Sequence, residues 1–211
     1  GHNPGAVPMD LYCQVYNTDL STSYPATNVM LKADICDYDG VRNPPMYAEF
    51  DVASYAANKF AVACWTSQGL FVDTLTFLPG SGTIDQGAFT REIVDIAQFD
   101  TAVSLEANDN HLVVAWKGRE TFASRTVVEG RRYKVENGFV LFDNPSSTDT
   151  FTFSATGISA YSHMSSSDSR LRPFNMISSA MDGKSNLALS WGSSETGRVY
   201  GCIWGNGNVT Y

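Results

Sequence analysis

The 211 residues carry 22 acidic against 14 basic side chains, for a formal net charge of −8 and a pI near 4.7. That balance repels a phosphate backbone and argues against nucleic-acid binding. No run approaches the roughly 18 consecutive apolar residues that span a bilayer, so no membrane insertion is expected. Hydrophobic residues make up 43% and charged residues only 17%, below the roughly 25% charge of ordinary domains. A core is well supplied, and the solvent face is to be built largely from Ser, Thr, Asn and Gly.

Taken in chain order, Gly1-His2 reads as the remnant of a tag, and residues 1–8 as that remnant with a Pro/Gly linker. Residues 9–211 read as one β-rich domain, a length that all-β units often reach. Short apolar runs recur at 11–16, 46–52, 59–66, 70–78, 111–116, 150–155, 187–191 and 198–204. Each alternates apolar with polar residues, or is continuously apolar, over about 4–8 positions, the signature of half-buried or fully buried strands. Between them, residues 17–28 (with Tyr24-Pro25), 37–45, 79–87 and 162–173 read as loops, and Lys117-Gly118 as a break before a further strand at 121–128. Residues 88–99 place Phe89, Ile93 and Ile96-Ala97 at helical spacing and predict a short helix. Asn137-Gly138, between 132–135 and 139–142, predicts a type I′ hairpin, because both central residues of that turn need positive φ. Residues 193–197 separate the strands of a terminal hairpin. Neighbours joined this closely pair antiparallel, since parallel strands need crossovers of about a dozen residues or more. The fold class expected is all-β: a single-domain antiparallel β-sandwich or barrel with long loops and at most one or two short helices.

Catalytic and metal chemistry find little support. No G-x-S-x-G elbow is present; with His2 set aside, His111 opens a strand and His163 shares a polar loop with Asp168. Asp37-Tyr38-Asp39-Gly40 lacks the later ligands of a calcium loop and reads as a turn. Cys13, Cys36, Cys64 and Cys202 form no C-x-x-C pair and sit in apolar runs, so zinc is not expected. They read as buried thiols, with a Cys13–Cys202 disulfide as the alternative. No metal, cofactor or catalytic residue is assigned. The basic clusters Arg119–Arg125 and Arg131-Arg132-Tyr133-Lys134 read as a solvated strand face balanced by Glu120, Glu129 and Glu136. Trp65, Trp116, Trp191 and Trp204 all fall in strand-like runs and read as core. The alternative is a sugar-stacking platform of Trp191, Tyr200 and Trp204. Binding residues usually sit on loops held by a rigid scaffold. On that ground Tyr24, Tyr161, His163, Asp168 and Arg170 are the candidate contact residues.

Two segments carry a resemblance. Residues 60–80 (FAVACWTSQGLFVDTLTFLPG) and 197–205 (GRVYGCIWG), with the acidic, Ser/Thr-rich surface, resemble the projection or spike domain of an astrovirus capsid protein of the avian, turkey-type branch. The resemblance spans essentially the whole chain and transfers no site residue. It implies a viral capsid surface domain that is not an enzyme. Such a domain forms a homodimer on the virion, attaches to a host-cell receptor (protein or glycan) and is recognised by neutralising antibodies. It also implies synthesis in the host cytoplasm, consistent with unpaired cysteines. The competing expectations are a carbohydrate-binding module or phage-fibre tip, and a β-sandwich glycoside hydrolase, which would need two carboxylates on one groove.

Overall fold

The computed structural model describes residues 9–16, 20, 22–36, 50–66, 69–86, 91–95, 103–119, 126–142, 150–153, 177–193, 198–205 and 208–210. Among these residues every regular element is a strand, and every pairing is antiparallel. Sheet I pairs β1 (Met9–Tyr16) with β2 (Ser23–Cys36). Sheet II runs β3 (Phe50–Ala56), β4 (Lys59–Thr66), β5 (Gly69–Leu78) and β6 (Thr83–Gln86), with β7 (Arg91–Asp95) also on β5. Sheet III has β9 (His111–Arg119) between β8 (Val103–Ala107) and β10 (Thr126–Glu136); β11 (Phe139–Leu141) and β12 (Thr150–Phe153) share the far side of β10. Sheet IV runs β13 (Ile177–Met181), β14 (Leu187–Ser193), β15 (Arg198–Gly205) and β16 (Asn208–Thr210).

The sheets stack in the order I, II, III, IV, and side-chain parity shows why. Successive residues of a strand point to opposite faces. In β9, Leu112, Val114 and Trp116 join Ala61, Ala63, Leu70 and Val72 of sheet II. The alternate residues Val113 and Ala115 join Leu187, Leu189, Trp191 and Trp204 of sheet IV. In β4, Ala61 and Ala63 face sheet III, whereas Val62 and Cys64 pack with Leu11 of sheet I. Strands β4 and β9 are therefore covered on two faces, and 60–65 and 112–116 read as unbroken apolar runs. Strand β14 is covered on one face only, so Leu187, Leu189 and Trp191 are buried while Ser190 is exposed and Ala188 stands out of the core.

Two polar staples join the edges of β3, β8 and β13. The Asp51 carboxylate of β3 accepts the Val52 N–H on Oδ1 and the Leu105 N–H of β8 on Oδ2, both at 2.8 Å. Ser104, on the same edge, hydrogen-bonds Ser179 of β13 at 2.7 Å. Occupied edge amides cannot template pairing with another chain. At the far end of the stack, Ser185 takes φ 65° and is 4% exposed. Its Oγ accepts from Asn108 Nδ2 (3.0 Å) and lies 2.7 Å from His111 Nδ1, which ties the β8–β9 turn to the β13–β14 turn.

Several expectations from the sequence need correction. Residues 23–28 are not a loop but the start of β2, because Ser23 and Tyr24 pair with Tyr16 and Val15. The predicted helix contains β7 instead: this β-branched stretch adds to the β5 edge, with Leu70 opposite Val94, Phe71 opposite Glu92, and the register shift falling at Ile93. Residues 79–82 are a tight turn between β5 and β6, with Gly82 at φ 65° and its N–H donating to Leu78 O at 2.8 Å. Lys117-Gly118 does not break β9; the two residues pair with Val128 and Val127. The Asn137-Gly138 hairpin forms as expected, with φ of 53° and 71°. Residues 37–45 and 162–173 lie outside the described residues.

Candidate functional site

A two-stranded sheet cannot cover a five-stranded one, and the mismatch between sheets I and II creates a cleft. Leu11 of β1 packs with Val62, Cys64, Phe71 and Leu75, above the middle of sheet II. Gln86 of β6 donates to Met30 O of β2 at 2.7 Å, pinning the far side. The outer face of β3 is left uncovered. There the strand alternation puts Phe50, Val52 and Ser54 on one side, with Phe50 57% and Val52 55% exposed. Across from them stand Tyr12 (52%) and Tyr16 (51%) of β1.

Between these rims lies a cleft of about 570 Å³, floored by Phe60, Val62, Leu75 and Ile84. Among the described residues lining it there is no carboxylate, ammonium, guanidinium or imidazole. Three of its polar side chains meet one another or the backbone. Tyr16 donates its hydroxyl to Gln14 Oε1 at 2.7 Å, and Ser54 Oγ lies 3.3 Å from the carbonyls of Ala56 and Lys59. Cys13 also lines the cleft, half-buried, and burial pushes its thiol pKa up, away from the reactive thiolate. The arrangement offers aromatic and aliphatic contact area and holds no acid–base pair.

A second open surface is the outer face of sheet IV. Ser178, Ala180, Ser190 and Gly201 are exposed there and carry no charge. Val199 (75% exposed) and Ile203 (55%) stand out from it.

The contact residues expected from the sequence fare unevenly, since Tyr161, His163, Asp168 and Arg170 lie outside the described residues and Tyr24 sits in β2 opposite Val15. The sugar platform of Trp191 and Trp204 is overturned. These side chains are 4% and 2% exposed, in the core between sheets III and IV. Tyr200 is half-buried and stacks on Trp191 with ring centres 6.3 Å apart. Arg132 covers the Trp204 ring at 4.6 Å, and Lys134 pairs with Glu136, so the basic cluster is engaged by its neighbours. Cys13, Cys64 and Cys202 are thiols, and the Cys13–Cys202 bridge is absent. Sequence reasoning missed Tyr12, Tyr16, Phe50 and Val52. The alternation Phe50, Val52, Ser54 is a visible signal, but which face stays bare depends on where sheet I lands.

A scan against protein-family models, a search of curated proteins and a search of solved structures find no match to this chain.

Proposed function

We propose that this chain is a non-enzymatic attachment domain, of the kind the astrovirus capsid spike represents. It is displayed on a virion surface, contacts a host-cell receptor and presents the surface that neutralising antibodies bind. One observation carries the reading: four large apolar side chains, Tyr12, Tyr16, Phe50 and Val52, stand at least half exposed around a single uncharged cleft. Exposed apolar side chains gathered on a rigid scaffold mark interaction surfaces, and aromatic anchors are the usual centres of binding energy. The uncharged outer face of sheet IV supports a homodimer. Two copies at −8 each repel, and a contact through charge-free surface keeps that repulsion distant.

The test is saturable binding of the purified domain to avian intestinal epithelial cells, with glycosidase- and protease-treated cells alongside. Saturable binding that Tyr12→Ala/Phe50→Ala weakens about tenfold or more, without change in the circular dichroism spectrum, is the expected result. Absence of saturable binding sinks the reading. Three exposed aromatic rings on one cleft also favour a carbohydrate-binding module. Binding to isolated glycans, undiminished when the domain is kept monomeric, would move the assignment there.

A further inference from the structure

We infer that the cleft between sheets I and II is a small-molecule pocket for an uncharged, apolar ligand with a hydrocarbon or aromatic body. This goes beyond attachment and does not depend on it.

Size is the first ground. The cleft is open to solvent along its rim and reaches down to buried side chains of sheets I and II. Here about 570 Å³ opens beside Leu11, Val62 and Leu75, none more than 8% exposed. That volume falls within the roughly 300–1,000 Å³ of ligand pockets, which are mainly apolar with a few polar groups. Charge is the second. The chain has 36 charged side chains, 22 acidic and 14 basic, and none of them is among the described residues that line this cleft. An ionised ligand would lose hydration there and meet no counter-charge, and an anion would also face the net charge of −8. Hydrogen bonding is the third. Tyr16 and Gln14 bond each other, and Ser54 is held against two backbone carbonyls. Recognition then rests mainly on shape and apolar burial, with the exposed Tyr12 on the rim as a polar contact, which suits a neutral molecule with few polar atoms.

Two dyes sharing one ring system separate these claims: neutral N-phenyl-1-naphthylamine, and its sulfonated relative 8-anilino-1-naphthalenesulfonate. Titration of the whole purified chain should give one saturable site for the neutral dye, with Kd on the order of 10 μM, and clearly weaker binding of the sulfonate. Ile84→Trp, which fills the cleft from its β6 wall, should weaken the neutral dye about tenfold or more. Ile203→Trp, on the outer face of sheet IV, should leave it unchanged. Cys13 gives a readout on the unaltered chain: saturating neutral dye should slow its alkylation severalfold, read by peptide mass spectrometry, while Cys202 is unaffected.

Non-saturable dye uptake, equal or tighter binding of the sulfonate, or no protection of Cys13 would each overturn the proposal. So would a change in sedimentation of Ile84→Trp with dye binding intact, because the cleft would then be an interface between copies. No cells enter the experiment, so its failure and that of the attachment reading are told apart.

Discussion

At the residue scale, partly buried polar and titratable side chains tie the sheets together or report on their packing, and four predictions belong to them. Asp51 is the acceptor that joins the edge of β3 to the edge of β8. Asp51→Ala leaves the Leu105 amide without that acceptor and should cost about 1–3 kcal/mol in urea denaturation. Glu106, next to Leu105, should report the same change. Burial first, and then the negative charge of Asp51, push the Glu106 carboxyl pKa up. The folded chain therefore holds that proton at higher pH than the unfolded chain, and stability rises as pH falls toward the ordinary Glu value. Glu106→Gln should raise stability at neutral pH and flatten that slope, and Asp51→Ala should shift it to lower pH. In the core, burial pushes the Cys202 thiol up to about 11 from 9.0. Between those values the unfolded chain loses the proton and the folded chain keeps it. Stability should fall as pH rises through this window, and Cys202→Ala should remove that contribution. A last pair concerns Trp116, whose buried indole N–H donates to Glu129 Oε2 at 3.0 Å across β9 and β10. Glu129→Leu should destabilise by about 1–3 kcal/mol, while Glu129→Gln, which keeps an acceptor, should cost less.

At the element scale, local turn chemistry was readable and edge pairing was not. Asn137-Gly138 announces its hairpin because few dipeptides fit two consecutive positive φ angles so readily. Gly138→Ala should cost about 1 kcal/mol from backbone strain. Its new Cβ would meet only the end of the Lys59 side chain, at 3.1 Å from Nζ. A lowered denaturation midpoint with an unchanged m-value checks this. The helix expected near Ile93 failed for a non-local reason. Strand β5 is ten residues long, β6 takes its Leu75–Leu78 end, and the remaining edge recruits β7. Strand β2 was missed because Ser, Thr, Asn and Pro mark its beginning; pairing with β1 overrides that composition.

At the scale of the whole molecule, function follows from which faces the stack leaves open. The facing sides of sheets II and III are consumed by packing, so among the described residues open apolar surface lies on sheet I, the bare strip of sheet II, Phe139 and Leu141 of β11 and the outer face of sheet IV. If sheet IV forms the dimer contact, Val199→Lys/Ile203→Lys should convert a sedimenting dimer to monomer. Both side chains are already exposed, so thermal stability of the monomer should stay within about 0.5 kcal/mol. A dimer that persists would move the interface elsewhere. A standard interface needs about 800 Å² from each partner.

The all-β character, the apolar runs at 59–66 and 111–116 and the Asn137-Gly138 turn were determined by the sequence itself, because strand periodicity and turn φ angles are local properties. The continuous apolar runs even signalled strands covered on both faces. The burial of Trp191 and Trp204, the closing of the edges by Asp51 and the cleft itself were decided only by tertiary structure. Tyr12 and Phe50 lie far apart in the chain, and nothing local links them. They meet because a narrow sheet I packs over part of a wider sheet II, and a leftover of packing has no signature in any single segment.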